Sequence, residues 1–252
     1  MNRLLRALVV AGGLITVWQA IVWITGAPPY ILPSPAAVVV AWAAEWRLIL
    51  DHAALTAAEI VLGLGFGAVL GSTSALVMAY FRPARRWLMP VLVISQAVPV
   101  FALAPLLVLW LGYGMASKVA MATLIIYFPV TAAFHDGLRR TEPGWLDLAR
   151  TMDAGRWAML RHVRVPAALP ALASGLRVAT AVAPIGAVVG EWVGSSAGLG
   201  YLMLHANARM QVDVMFAALA TLAVLVVALY VGVDRALRRA LPWQVESNPS
   251  ND

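Results

Sequence analysis

The chain has 252 residues, of which 62% are hydrophobic and only 12% are charged, and its mean hydropathy is +0.83. A soluble domain has about 45–50% apolar and about 25% charged residues, so this composition argues against a soluble core and predicts several membrane-spanning helices. The net charge of +6 comes from basic residues placed between apolar runs. This placement indicates the charge bias of membrane loops and argues against a nucleic-acid-binding face.

The first predicted span covers residues 7–25 and follows Arg3 and Arg6. Residues 30–35 contain two prolines, which remove backbone donors and restrict the residues before them, so the helix should break there. A mixed helix is predicted over residues 36–50. Its charged residues make it a poor candidate for crossing a membrane.

Five further apolar runs predict the remaining spans. They cover residues 53–80, 87–111, 117–134, 171–193 and 213–233. The run at 87–111 contains Pro90, Pro99 and Pro105 and should be kinked or broken. A long polar segment at about 135–170 and a less apolar connection at 194–210 lie between spans, and a polar tail follows at about 240–252. We therefore predict one all-α transmembrane domain over residues 1–252, with six spans.

Small residues recur every fourth position in the second predicted span, at Gly63, Gly67 and Gly71. Such a ladder lets two helix backbones approach closely in lipid. Glycine is also common in spanning helices without any packing role. The sequence alone leaves both interpretations open.

Basic residues are strongly biased to one side of the six-span arrangement. With the N-terminus inside, fourteen of the eighteen Lys and Arg residues lie in inside segments, whereas Arg47, Lys118 and Arg209 lie outside. Arg177 falls near the inner end of the fifth span, where snorkelling to the interface is expected. The positive-inside rule then predicts that both termini are cytoplasmic.

No pattern in the chain predicts a catalytic centre, a cofactor or a metal site. The four histidines do not share a helix face with carboxylate partners, and there is no cysteine. A phosphate-binding loop needs Gly-Lys before Ser or Thr, but Ser117 precedes Lys118, which is the only lysine. Any ATP hydrolysis must therefore come from a separate subunit.

The polar segment contains two short stretches with helical character, residues 146–156 and 157–165. Gly155 interrupts them, and Pro166 and Pro170 should stop the second one. Two amphipathic helices between spans are suited to docking a partner. The alternative is a loop that lies on lipid headgroups, attracted by its arginines.

This segment resembles a known protein family. The stretch DLARTMDAGRW at 147–157, followed by VPAALP at 165–170, resembles the EAA loop of binding-protein-dependent ABC permeases. That loop reads E-A-A-x-x-x-G, then an apolar residue before Leu-Pro. Asp153 stands at the glycine position of the pattern and Leu148 at an alanine position, so Gly155 is expected to provide the bend.

The resemblance implies a type I ABC importer permease in the inner membrane, working as a homodimer. It implies a cytoplasmic ATPase and a periplasmic or lipid-anchored binding protein as partners, with membrane lipid around the spans. It assigns ATPase coupling to nine residues of the loop. These are Asp147, Leu148, Ala149, Arg150, Asp153, Gly155, Arg156, Leu169 and Pro170.

Further motifs narrow the resemblance to one subfamily. LPSP at 32–35, QAVPVFALAPL at 96–106 and GLG at 198–200 resemble permeases for sulfonates, taurine, nitrate, riboflavin and thiamine precursors. VVGEWVG at 188–194 most resembles permeases for hydroxymethylpyrimidine-type thiamine precursors.

The residues add some information on the substrate. A sulfonate would favour cations along the pathway, and the spans offer few, so a neutral flat substrate is favoured. Gln96, Pro99 and Glu191 are the pathway candidates, and Glu59 is a further ionisable residue within a span. For both glutamates, a position facing interfacial water is the alternative. The alternative functions are import of sulfonate, taurine, nitrate or riboflavin, or an ion-coupled secondary transporter.

Overall fold

A computed structural model describes residues 3–243, and every regular element in this range is helical. The α-helices are α1 (Arg3–Thr25), α2 (Pro35–Ala44), α3 (Trp46–Tyr80), α4 (Arg82–Ser95), α5 (Ala104–Leu111), α6 (Met115–Arg139), α7 (Pro143–Thr151), α8 (Arg156–Met159), α9 (Val165–Gly194), α10 (Leu199–Ala208) and α11 (Val212–Ala240). A 3-10 turn (Val100–Leu103) precedes α5, and a π turn (Leu160–Arg164) joins α8 to α9.

The predicted break at residues 30–35 is confirmed. Ser34 caps α2, since its hydroxyl accepts a hydrogen bond from the backbone N–H of Ala37 at 3.2 Å, and Pro35 lies in the first turn. The predicted boundary between residues 50 and 53 is wrong. The chain turns at Glu45 instead, and α3 then continues for 35 residues, because no glycine or proline interrupts residues 46–62.

The predicted break of the third span is also confirmed. The α4 helix and the segment Val100–Leu111 meet at 93°. Pro99 leads into the 3-10 turn, and Pro105 lies in the first turn of α5, where a missing N–H costs little.

Helices α3, α6 and α9 form the centre of the fold. The glycine ladder of α3 packs on α6: a Cβ at Gly63 would lie 2.5 Å from Cβ of Ala122, and one at Gly71 would lie 3.0 Å from Cβ of Val130. The close-packing interpretation of the ladder is therefore confirmed. Small side chains on α9 continue this core, where Ala179, Ala183 and Ala187 are buried.

Two predictions for the segment before α9 are wrong. Residues 157–165 do not form a separate helix that Pro166 and Pro170 stop; Arg156–Gly194 is one continuous apolar helix of 39 residues. The N–H of Val165 donates to the carbonyl of Leu160, five residues back. This wider turn relieves the clash that proline makes with the preceding turn of a regular α-helix.

The far end of the chain differs from its predicted description in two places. The connection at 194–210 contains α10, which packs on α11 and α9. Arg177 also forms an ion pair that was not predicted: its Nε donates to Asp234 Oδ1 at 2.7 Å and links α9 to α11, while its snorkelling stays a prediction. In the predicted tail, Leu241 is buried, and residues 244–252 lie outside the described range.

Four helices are long and apolar enough to cross a membrane, and the broken pair α4–α5 makes a fifth candidate. The apolar part of α1 within the described residues, Val9–Thr25, is shorter than these spans. The six-span count therefore includes α1 and stays a prediction for that helix.

Candidate coupling surface and translocation pathway

The α7 helix lies between α6 and α8, at the end of the molecule where α3 and α6 finish and α9 begins. Pro143 lies in its first turn. Asp147 and Arg150 form an exposed ion pair at 2.5 Å, three residues apart on the same helix face. The sequence prediction of a helix here is confirmed, but α7 ends at Thr151 rather than at Arg156.

Asp153, not Gly155, makes the bend after α7. Asp153 has φ +57°, a left-handed conformation that favours glycine and that aspartate tolerates better than most residues. Gly155 has φ −62° and ψ 163°, which any residue can adopt. The expectation that Gly155 provides the bend is wrong, because Asp153 adopts the glycine-like conformation at the position where the family pattern has glycine.

The two faces of α7 differ in exposure. Leu148 and Met152 are 62% and 75% exposed, whereas Ala149 is only 8% exposed. Ala149 therefore packs within this chain, and the apolar side chains open to a partner include Trp145, Leu148 and Met152. Exposed apolar residues on a short helix outside the spans are the feature that a docking surface requires.

An apolar hollow of about 570 Å³ lies between α7 and the start of α9. Its wall is formed by α7 side chains, by residues of the π turn and α9, and by the segment after α11. Among the predicted coupling residues it brings together Leu148, Ala149 and Pro170; Leu169 is the half-buried neighbour of Pro170. Trp243 also lines the hollow, a contribution that sequence reasoning missed because Trp243 lies some 90 residues from α7.

Arg156 lies apart from this hollow. Its Nη2 donates to the backbone carbonyl of Tyr80 at 2.7 Å, and its guanidinium carbon lies 5.2 Å from the centre of the Tyr80 ring. These contacts fix the start of α8 against the end of α3, so Arg156 holds the position of the loop that carries α7.

Gln96 and Pro99, two of the pathway candidates, lie at the break between α4 and α5. Both are exposed, and the Gln96 side-chain amide donates to the Ser95 hydroxyl at 3.4 Å. Residues 87–113 contain no charged residue, and they expose the aromatic side chains of Phe101, Trp110 and Tyr113. This broken segment therefore presents a neutral, partly aromatic surface.

Glu191, the third pathway candidate, lies elsewhere and is buried. One carboxylate oxygen accepts from the Thr56 hydroxyl at 2.6 Å, and the other accepts from the N–H of Gly200 at 2.5 Å. Thr56 in turn accepts from the N–H of Leu199 at 2.8 Å, and His52 Nδ1 accepts from the N–H of Gly198 at 2.8 Å. These side chains cap the first turn of α10.

The cap also requires the glycine at position 198. Gly198 has φ +111°, and a Cβ there would overlap the carboxyl group of Glu191. The alternative in which Glu191 faces interfacial water is wrong, and the observed contacts give it a structural role. Its assignment to the pathway stays a prediction.

Sequence reasoning missed a buried ion pair near this cap. Lys118 Nζ lies 3.1 Å from Glu59 Oε1, with side chains 9% and 1% exposed. The alternative in which Glu59 faces interfacial water is therefore wrong, whereas the placement of Lys118 toward the outside stays a prediction. A charged residue inside a span normally pairs with a residue of opposite charge. The single lysine of the chain and a glutamate on a neighbouring span could therefore have predicted this ion pair.

Residues 63–243 match the family described as binding-protein-dependent transport system inner membrane component. The chain is 56% identical over 243 residues to a probable ABC transporter permease protein of Haemophilus influenzae, covering 96% of this chain and 99% of that one.

Two further relatives carry substrate names. The formylaminopyrimidine transport permease protein ThiX of Halalkalibacterium halodurans is 36% identical, covering 92% of each chain. The riboflavin transport system permease protein RibX of Chloroflexus aurantiacus is 37% identical, covering 92% of this chain and 87% of that one.

A solved structure supports the fold. A chain of the inward-facing MetNI methionine ABC transporter superposes with a TM-score of 0.67 at 21% identity, covering 77% of this chain and 97% of that one. The type I importer permease fold is confirmed, and the ion-coupled alternative is not supported. The chain belongs to the inner membrane components of binding-protein-dependent transport systems, and it is a membrane transport subunit of the ABC permease type.

Proposed function

We propose that this permease carries a pyrimidine precursor of thiamine across the inner membrane. The observation that carries the proposal is the neutral broken segment at residues 87–113, which exposes the Gln96 amide and several aromatic rings. A flat heteroaromatic substrate can stack on such rings. A sulfonate would need cations or aligned donors there.

The relatives support the same substrate class. A permease named for formylaminopyrimidine and one named for riboflavin are similarly close to this chain, at 36% and 37% identity. Both names refer to nitrogen heterocycles. The pyrimidine is preferred because the stretch at 188–194 resembles the hydroxymethylpyrimidine-type permeases, and riboflavin is the second candidate.

The partner arrangement is part of the proposal. The family acts with a cytoplasmic ATPase and a substrate-binding protein. Two copies of this chain form the pathway, the exposed face of α7 with Leu148 and Met152 docks in a groove of the ATPase, and both termini lie in the cytoplasm. The basic residues at the α7 end of the molecule agree with that orientation.

Uptake by a deletion strain tests the substrate. Cells that cannot make the thiamine pyrimidine are supplied with labelled formylaminopyrimidine or hydroxymethylpyrimidine, with and without this chain. The proposal expects uptake and growth only when the chain is present, and a loss of uptake in Gln96→Leu at normal membrane levels. If riboflavin, taurine, nitrate or a sulfonate is taken up instead, the substrate is wrong while the family stands.

A further inference from the structure

A strongly basic cavity lies at the α7 end of the molecule and shares no wall residue with the apolar hollow. It has a volume of about 490 Å³ and lies between the end of α3, the start of α4, the end of α6 and the α8–α9 junction. Its wall contains five arginines and one histidine, namely Arg82, Arg85, His135, Arg139, Arg156 and Arg164. We call it the arginine cavity.

The charges in this cavity are not balanced by acidic groups in its wall. Within residues 3–243, no aspartate or glutamate lines it. The carboxylate of Asp136 approaches His135, but its Oδ1 lies 3.9 Å from His135 Nδ1, beyond hydrogen-bond distance. Asp136 is itself exposed to solvent. Five guanidinium groups around one cavity therefore produce a positive potential that favours an anion.

Two buried groups in the wall lack hydrogen-bond partners. His135 is 1% exposed, and neither of its ring nitrogens has a partner in the described chain. The buried Nε of Arg164 also lacks one among residues 3–243. These atoms are enclosed by protein, so the donors open to an anion are the guanidinium groups of the wall, which require a ligand with several acceptor oxygens. A phosphate group supplies such oxygens.

An apolar groove adjoins the cavity and indicates the source of the phosphate. The groove runs along α4, has a volume of about 600 Å³ and shares Arg85, His135 and Arg139 with the arginine cavity. Its other wall residues include Met89, Pro90, Val93 and Ile94, of which Val93 and Ile94 are exposed. A charged cavity that continues into an apolar groove on a spanning segment matches a headgroup and an acyl chain, whereas free phosphate needs only the cavity.

We propose that the arginine cavity binds the phosphate group of an anionic phospholipid, with an acyl chain in the α4 groove. Arg156 is already oriented by Tyr80. Arg82, Arg85 and Arg139 line the same cavity and supply further guanidinium donors for the phosphate oxygens. The lipid would join α3, α4, α6 and α9 at the end where α7 docks its partner. Basic cavities between helices at the cytoplasmic side bind anionic headgroups in other membrane proteins.

Lipid binding to matched arginine variants tests the proposal. The full-length chain, in the complex in which it is isolated, is delipidated and titrated with dioleoylphosphatidylglycerol or dioleoylphosphatidylcholine, and bound lipid is counted by native mass spectrometry. The variant Arg139→Gln/Arg164→Gln removes two cavity charges. The control Arg140→Gln/Arg161→Gln removes two exposed arginines of the same segments, which do not line the cavity. Arg82→Gln/Arg85→Gln is a second cavity variant with exposed side chains, in case the first does not fold.

The proposal expects wild type and the control to bind phosphatidylglycerol alike, and the cavity variants to bind it at least about tenfold more weakly. Equal weakening in the control, or equal binding of phosphatidylcholine by wild type, would overturn it. Phosphorus NMR with inorganic phosphate distinguishes a lipid headgroup from free phosphate as the bound anion. Saturable phosphate binding that depends on Arg139 and Arg164, without phosphatidylglycerol binding, would replace lipid by free phosphate. Loss of ATPase association with unchanged lipid binding would assign the cavity to the subunit interface instead.

Discussion

The carboxylate of Glu191 accepts a hydrogen bond from the backbone N–H of Gly200 at 2.5 Å, which ties the last part of α9 to the first turn of α10. Two helices that are only four residues apart in sequence are thus held by a charged group rather than by apolar packing alone. The N–H groups of the first turn have no partner within their own helix, and a buried carboxylate satisfies them at the positive end of the helix dipole.

Replacing Glu191 with alanine should destabilise this hairpin. The N–H of Gly200 and the hydroxyl of Thr56 would lose their acceptor in a buried site, so we expect the free energy of unfolding to fall by about 1–3 kcal/mol. Glu45→Ala is the control, since Glu45 is exposed and makes no side-chain cap. Thermal unfolding in detergent measures both variants, and equal midpoints would contradict the capping role.

The second span offers a closely matched pair of glycine variants, one inside the ladder and one beside it. A Cβ at Gly67 would overlap Ile126, whereas a Cβ at Gly65 meets nothing within 4 Å. We expect Gly67→Ala to lower the free energy of unfolding by about 1–3 kcal/mol through overpacking. Gly65→Ala should leave it unchanged or raise it by about 0.5–1 kcal/mol, because alanine favours the helix. The assigned α3–α6 contact is incorrect if both variants unfold alike.

The ion pair between Lys118 and Glu59 should behave as a unit. Lys118→Met leaves a buried carboxylate without its partner and should cost about 3–5 kcal/mol. The double variant Lys118→Met/Glu59→Gln removes both charges, and we expect it to recover more than half of that loss. Chemical or thermal unfolding of the two single variants and the double variant gives the coupling. Additive losses would show that the two side chains do not interact.

Coupling to the ATPase should depend on the exposed face of α7 rather than on Ala149. Leu148→Asp places a charge on a side chain that is 62% exposed, so folding should be unaffected, while ATPase copurification and uptake should fall at least about tenfold. Leu148→Met keeps an apolar side chain and should retain both. Membrane levels by immunoblot serve as the reference. Retention of coupling by Leu148→Asp would indicate that α7 lies on lipid headgroups.

Orientation can be tested at the two ends of α6. The chain has no cysteine, so Tyr113→Cys and Arg140→Cys each introduce a single thiol at an exposed position. The positive-inside rule predicts that an impermeant maleimide labels position 113 in intact spheroplasts and position 140 only after permeabilisation. The reverse pattern would invert the topology, and labelling of both positions from one side would show that α6 does not span.

The apolar runs and the period-four glycines predicted most of the helices and the α3–α6 contact, because both depend on local composition. The cap at α10 was not predictable, since Glu191, Thr56 and His52 reach the successive N–H groups of residues 198–200 only after three helices pack. The conformation of Asp153 was missed for a different reason. Glycine is the usual residue at positive φ, so the sequence analysis assigned the bend to Gly155.

The π turn at Leu160–Arg164 also has a mechanical consequence. Because the helix is not interrupted there, residues 156–194 form one rod of 39 residues, which is about 58 Å long at 1.5 Å per residue. One end is fixed to Tyr80 beside the coupling segment, through Arg156, and the other end carries Glu191 and the α10 cap. A continuous helix connects these two ends, so a tilt imposed beside α7 would displace α10 laterally unless the helix bends at its interior prolines, Pro170 and Pro184.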